Sequence, residues 1–200
     1  MKTFKTLMMA FVAVATMGLA SCINTDNEYK GLTKEDIALC FATVKGNYEG
    51  DLIYRNVNEA NIKDVYDTLR VAWNIDTDST LTIAKFPSKL LAKNITNEQL
   101  KAALEAAPDQ DLKCVIGFMG TSPVSYLMNP ETLTYYLEYD GKKQKVQVVF
   151  TINSYASFGV YNTGKKILKM QIIEAVIYLN GNQTSYLKQV VPFILEAKRN

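Results

Sequence analysis

The apolar residues of this chain follow two different periods. Spacings of three and four residues, which are typical of one face of a helix, occur at 33–45 and at 96–107. Thr33 can cap the first of these helices and Gly46 can end it, while Pro108 stops the second. The pattern therefore predicts about two helices in the N-terminal half of the chain.

Strict alternation of apolar and polar residues, the period of a half-buried strand, covers most of the remaining chain. The predicted strands are 48–55, 65–75, 80–85, 112–119, 133–139, 146–152, 167–179 and 184–198. Asp140-Gly141 and Asn180-Gly181 are signals for tight hairpins. Pro192 predicts a sheet edge or a bulge, because proline has no N–H to donate. The segment around Pro123 and residues 153–166 are predicted as loops.

This order of elements predicts the fold class. Helices near the front and hairpins near the back favour a mainly antiparallel sheet with the helices at one side or end, over alternating βαβ units. No repeat and no interdomain linker is visible in the sequence. We therefore expect residues 32–200 to form a single α+β domain.

The first 22 residues carry the pattern of a secretory leader. Lys2 and Lys5 form a basic start, and an uncharged run then leads to Leu19-Ala20-Ser21-Cys22. The run is too short to cross a bilayer as a helix. An ordinary secretory leader is one interpretation of this pattern.

The four residues Leu19, Ala20, Ser21 and Cys22 also resemble the lipobox of bacterial lipoproteins. The resemblance implies a signal peptide at 1–21, acyl chains on Cys22 and a tether at 22–31. It places the protein in the bacterial cell envelope, anchored by lipid and expected in the outer membrane, with the periplasmic and the outer face both open.

Composition excludes several classes of function. The chain contains no histidine, which removes Ser-His-Asp and Cys-His catalytic sites and His-based zinc sites. The chain has 22 Lys and Arg residues and 20 Asp and Glu residues. Removal of Lys2 and Lys5 with the leader would make the numbers of positive and negative charges equal. A balanced chain is unlike a nucleic-acid binder, which needs a basic face. We expect no enzyme activity, no catalytic residue, no metal and no cofactor.

The two cysteines beyond the leader allow two interpretations. Cys40 and Cys114 could form a disulfide in an oxidising compartment. Alternatively, both are separate core thiols, because Cys40 lies on the apolar side of the first predicted helix and Cys114 alternates with Leu112 and Ile116. The second interpretation is favoured.

Two further groups of residues are candidates for binding or modification. Asp78-Ser79-Thr80 resembles the motif at which Bacteroides-type exported proteins are O-glycosylated, which makes Ser79 a candidate. The chain has 12 tyrosines, and aromatic rings can bind sugars, lipids or a protein partner. The candidate ligand-binding residues are Tyr126, Tyr136, Tyr155 and Tyr161. The preference of aromatic residues for strands is the alternative explanation of such a cluster, and it is the favoured one.

One stretch of the domain also carries a resemblance. Residues 44–54, with Tyr48-Glu49-Gly50, are similar to the opening strand of small Bacteroides-type lipoproteins, some of which look calycin-like. The resemblance implies a sheet curled into an open barrel. We expect a non-catalytic cell-envelope lipoprotein that binds a small apolar or sugar ligand on or inside its sheet. The alternative is an accessory interaction subunit of an envelope or surface complex.

Overall fold

Antiparallel strands build most of the molecule. The computed structural model describes residues 31–56 and 65–199. Its helices are α1 (Lys34–Val44), α2 (Ser88–Ala92) and α3 (Glu98–Glu105). Its strands are β1 (Gly46–Asn56), β2 (Val65–Ile75), β3 (Thr80–Phe86), β4 (Gln110–Thr121), β5 (Val124–Pro130), β6 (Leu133–Tyr139), β7 (Lys142–Phe150), β8 (Phe158–Asn162), β9 (Ile167–Leu179), β10 (Asn182–Gln183) and β11 (Val191–Lys198). The mainly antiparallel prediction is confirmed.

The sheet closes into a barrel of eight strands. Its order is β11-β1-β2-β3-β4-β5-β8-β9, and β9 pairs back onto β11. β11 makes this closure because it has partners on both sides, from Asp51 to Tyr54 in β1 and from Ile167 to Glu174 in β9. The expected open barrel is therefore wrong. Closure gives every barrel strand a partner on both sides over at least part of its length.

A small sheet extends from one end of the barrel. The last residues of β9 continue past the barrel and pair with β7 on one side and with β10 on the other. β6 adds to the outer side of β7, and α3 packs against β6. Asp140 and Asn180 have positive φ angles of 52° and 51° at the two hairpin turns, as the sequence signals predict.

Three elements differ from the sequence prediction. β5 and β8 stand where loops were predicted. The predicted strand at 184–198 is shortened to β11, since 184–190 is irregular and β10 lies before it. β8 is short and contains Gly159, so its alternation is weak. Pro192 pairs only with β9, because the partners of β1 begin at Phe193. The proline thus lies at a local edge, as predicted.

Large side chains fill the barrel interior. The largest fully buried ones are Trp73, Tyr126, Phe86 and Phe193. The ring of Phe86 meets that of Phe193 edge-on, with centroids 5.2 Å apart. Trp73 stacks on Tyr48 at 5.7 Å. The barrel is a packed core along much of its length.

Helix α1 covers the end of the barrel opposite the small sheet. Thr33 and Asp36 form a reciprocal capping box at its start, as the Thr33 signal predicts. The thiol of Cys40 donates to the carbonyl of Gly120 at 3.6 Å, which ties the helix to the end of β4. The described residues from Leu32 onward form one compact unit. Within the described ranges, no helix has the length and apolar character needed to cross a membrane.

Candidate functional site

The barrel wall opens where β3 leaves β2. The two strands pair from Ala72 and Ala84 to Ile75 and Leu81. Beyond Ala84 the ladder from β3 to β4 is irregular, and Lys85 takes a positive φ of 47°. Among the described residues, the part of β2 before Ala72 is therefore paired by β1 alone.

Two carboxylates hold β3 in this diverging path. The backbone N–H of Lys85 donates to Asp111 at 2.9 Å. The backbone N–H of Ser88 donates to Asp109 at 2.9 Å, and the Ser88 hydroxyl donates to the carbonyl of Ala107 at 2.6 Å. Ser88 is buried, and its two bonds are partly shielded from water, whereas the bond from Lys85 to Asp111 is exposed. They fix the chain from β3 into α2 as one wall of the opening.

The opening forms a groove of about 380 Å³. Its apolar lining is Leu69, Val71, Ala72, Ala84 and Pro87, and its polar lining is Arg70, Lys85, Lys89 and Asp109. The volume lies within the range of about 300–1,000 Å³ that is usual for ligand sites. Sequence reasoning missed this site, because it depends on where two strands separate.

The groove carries an excess of positive charge. Three of its lining residues are cationic and one, Asp109, is anionic. Asp109 is held by Ser88, whereas Lys85 and Lys89 form no ion pair with the part of the chain that the structure describes. Arg70 contacts Asp51 at 3.0 Å outside the groove, and both side chains are largely exposed. With Arg70 balanced by Asp51, the lining keeps two lysines against one carboxylate.

A second unusual feature lies inside the molecule, at Glu174. This residue continues the core-facing row Leu168, Met170 and Ile172 of β9 and is 0% exposed. Neither carboxyl oxygen has a hydrogen-bond partner within the described chain. Burial raises the pKa of Glu174 well above its usual value, because the charged form is disfavoured away from water. A lone acid in an apolar strand row was a visible signal, and sequence reasoning did not use it.

Tyr135 belongs to the same buried region. Burial raises the pKa of its hydroxyl, and the negative charges of Asp109 and Glu174 raise it further. The Tyr135 hydroxyl has no hydrogen-bond partner in the described ranges. Glu174 and Tyr135 therefore favour their neutral forms. In their neutral forms these two groups offer no charged base for acid–base chemistry.

The four candidate tyrosines do not form one site. Tyr126 and Tyr161 are buried in the barrel, on the neighbouring strands β5 and β8. Tyr136 and Tyr155 are each 66% exposed, on β6 and in the connection between β7 and β8. Two of the rings thus fill the core and two face solvent, so these four residues cannot line a common pocket.

The two cysteines in the described part of the chain are free thiols. Cys40 and Cys114 are both buried, and no disulfide joins them. Burial raises the pKa of Cys114, with a smaller contribution from the charge of Glu131. This arrangement agrees with the interpretation of two core thiols.

The remaining candidates lie at the surface or outside the described residues. Ser79 is exposed in the turn between β2 and β3, where its carbonyl accepts from Ile116 at 2.9 Å. Its side chain is therefore accessible to a modifying enzyme. The lipobox residues Leu19, Ala20, Ser21 and Cys22 lie outside the described residues.

The described chain is thus a mainly antiparallel protein built on a closed eight-stranded barrel, with a cationic groove in its wall. The family described as Domain of unknown function (DUF4840) matches residues 43–179, more than half of the chain, and the chain belongs to this family. The match includes every groove residue and Glu174, but not β11. No curated protein and no solved structure matches the chain.

Proposed function

We propose that this protein is a non-catalytic lipoprotein of the bacterial cell envelope that binds another envelope component through its groove. The observation that carries the proposal is the gap between β2 and β3, with its apolar lining and unbalanced lysines. The leader supports the location, because Leu19 to Cys22 match a lipobox and would place acyl chains on Cys22. Several acyl chains hold a protein at a membrane where one does not.

The filled interior favours binding at the wall over binding inside the barrel. Trp73, Tyr126 and Phe193 occupy the space that a calycin-like ligand would need. The groove is accessible from outside, and its walls are held by Asp109 and Asp111. This arrangement supports the accessory interaction subunit over the small-ligand carrier.

A small sugar or apolar ligand remains the second candidate function. The groove volume of about 380 Å³ is enough for one small molecule, and Leu69, Ala72 and Ala84 give it an accessible apolar surface. The two candidates share the same site and differ in the size of the occupant.

The absence of enzyme activity is part of the proposal. The chain has no histidine, and the buried Glu174 favours its neutral form. Neither feature supports a general base near neutral pH.

Fatty-acid labelling tests the anchor. Wild-type protein grown in its own host with labelled palmitate should carry label and sediment with membranes. Cys22→Ala should carry none and stay in the soluble fraction, while Cys40→Ala should behave as wild type, because Cys40 is buried against the end of β4. Label on the Cys22→Ala protein contradicts the lipobox assignment.

Native mass spectrometry of protein purified gently from its host tests the binding function. We expect retained mass, and we expect Lys89→Glu to lose it while Lys165→Glu keeps it. Lys165 is an exposed lysine beside the β8–β9 turn, near α1 and away from the groove. A retained mass of a few hundred daltons favours the small ligand, and a macromolecular mass favours the interaction subunit. If both variants retain the bound mass equally, the groove is not the binding site.

A further inference from the structure

We infer that the groove binds an extended peptide segment of a partner protein, added as a strand to the open side of β2, with apolar residues alternating with acidic ones. This inference rests on the proposed function and names the chemistry of the partner. It follows from three properties of the groove: an open strand edge, two faces of different polarity, and an excess of cations.

The open edge supplies backbone hydrogen-bonding groups. β2 pairs with β1 along its whole length, but with β3 only from Ala72 onward. In an antiparallel strand, alternate residues direct N–H and C=O groups to opposite sides. The stretch from Leu69 to Val71 thus presents backbone groups toward the groove, and an added strand is the partner that matches their spacing.

The two faces of β2 predict the side-chain pattern of that added strand. Val71 faces the core and is nearly buried, and Leu69 packs against the core from the same face. Arg70 faces outward and is exposed. Because side chains alternate along a strand, a segment beside β2 would place every second residue next to Leu69 and Val71. Apolar residues fit those positions.

The charges of the groove lining predict which side chains of the added strand face outward. Those side chains would lie near Lys85 and Lys89, with Asp109 as the single acid of the lining; Arg70 is already paired with Asp51. Asp109 is bonded to Ser88, so it does not neutralise the lysines by direct pairing. Aspartate or glutamate fits the outward positions, since complementary charges at a rim speed association and reject basic partners. The open stretch of β2 in the groove, from Leu69 to Val71, corresponds to about 10 Å of strand.

Selection from a phage-displayed library of random linear nonapeptides tests the inference, with the full-length lipoprotein in detergent as the target. We expect enriched sequences to alternate apolar and acidic residues, and to bind more weakly as salt rises. Lys89→Glu combined with Lys85→Asn should lower their affinity about tenfold or more. Asparagine is chosen at 85 because it tolerates a positive φ. Lys165→Glu serves as the charge control and should bind as wild type.

A backbone-modified probe separates strand addition from simple charge attraction. One enriched peptide is synthesised with N-methyl groups on alternate residues, in the two possible registers. One register should lose binding and the other should keep it, because only one set of N–H groups faces β2. The inference is overturned if no peptide is enriched, if both registers bind equally, or if free glutamate competes as well as the peptide does. If native mass spectrometry still shows groove-dependent retention in that case, the proposed function stands and only the peptide is wrong.

Discussion

The ring of Tyr126 occupies the place where a side chain at position 159 would stand. A Cβ atom built on Gly159 would lie 2.3 Å from Cζ of Tyr126 and 2.6 Å from its hydroxyl oxygen. The two residues are cross-strand partners in β5 and β8. The contact thus joins the two strands that complete the barrel between β4 and β9.

We predict that Gly159→Ala destabilises the protein by about 1–3 kcal/mol, the usual cost of overpacking a core. Tyr126 is fully buried and also packs edge-on against Phe118 at 5.6 Å, so its ring cannot swing aside. The free energy of unfolding in urea measures the effect. Gly117→Ala is the control, because a Cβ on this exposed strand residue would meet nothing within 4 Å. The prediction fails if the two variants are equally stable.

The same contact explains why β8 was predicted as a loop, but not why β5 was, since β5 alternates regularly. β2 and β9 were predicted with their observed bounds, because long alternation leaves little choice. In β8 the glycine removes one side chain from the pattern, and the ring that covers it comes from a strand 33 positions earlier in the chain. The closure of the barrel could not be predicted either, because β9 and β11 pair although an irregular segment separates them in the sequence.

We predict that replacing Glu174 with methionine stabilises the protein at neutral pH, by about 1–3 kcal/mol. Methionine has a similar shape and leaves no polar atom without a partner in the core. Urea unfolding at pH 7 measures the gain. Glu196→Gln is the control. Glu196 forms an ion pair with Lys169 at 2.6 Å, so removing its charge should not stabilise the protein. A destabilised Glu174→Met protein would contradict the prediction.

The gain from Glu174→Met should also depend on pH. Glu174 has a raised pKa in the folded state, so below its ordinary value of 4.5 the acid is protonated in both states and costs nothing through ionisation. As the pH rises above 4.5, the unfolded chain releases this proton first and the folded state loses relative stability. The lowered pKa of Asp36 acts in the opposite direction, so the comparison uses the difference between variant and wild type. That difference should shrink between pH 7 and pH 4.5; a constant difference would mean that Glu174 does not titrate differently on folding.

We predict opposite outcomes for removing two buried tyrosine hydroxyls. Tyr48 donates to the carbonyl of Val44 at 2.5 Å, so Tyr48→Phe should cost about 1–3 kcal/mol by leaving that acceptor without its partner. Tyr135→Phe removes a hydroxyl that has no partner in the described ranges, so it should be neutral or slightly stabilising. Thermal unfolding of both variants tests this. Equal losses would show that the Tyr135 hydroxyl has an unseen partner such as water.

The candidate site was less predictable than the fold. The leader pattern and the missing histidine narrowed the classes of function from sequence alone. The leader is recognised from consecutive residues, and the absence of histidine from the composition. The groove depends on Lys85, where the backbone turns away, and on Asp109 and Asp111, which hold that turn from another strand end. Nothing in the local pattern links these residues. Tyrosines 136 and 155 were singled out by type, whereas their positions are surface sites on separate elements.

Arg199 gives the last prediction, because it supplies the positive charge that helix α1 lacks in its own last turn. Its guanidinium donates to the carbonyl of Thr43 and, at 3.3 Å, to that of Lys45. A cation bonded to the final carbonyls stabilises a helix end. Arg199→Ala should therefore cost about 1 kcal/mol locally and speed hydrogen exchange of the α1 amides about fivefold.

Two neighbouring substitutions make the test specific. Arg199→Lys keeps the charge but not the paired geometry, so its exchange rates should fall between those of wild type and Arg199→Ala. Lys198→Ala removes a neighbouring exposed charge and should leave α1 unchanged. The backbone bond from Arg199 N–H to the carbonyl of Lys166, at 2.7 Å, is kept in every variant, so a change confined to α1 reports on the side chain. If Lys198→Ala speeds α1 exchange as much as Arg199→Ala does, general charge and not these two bonds holds the helix end.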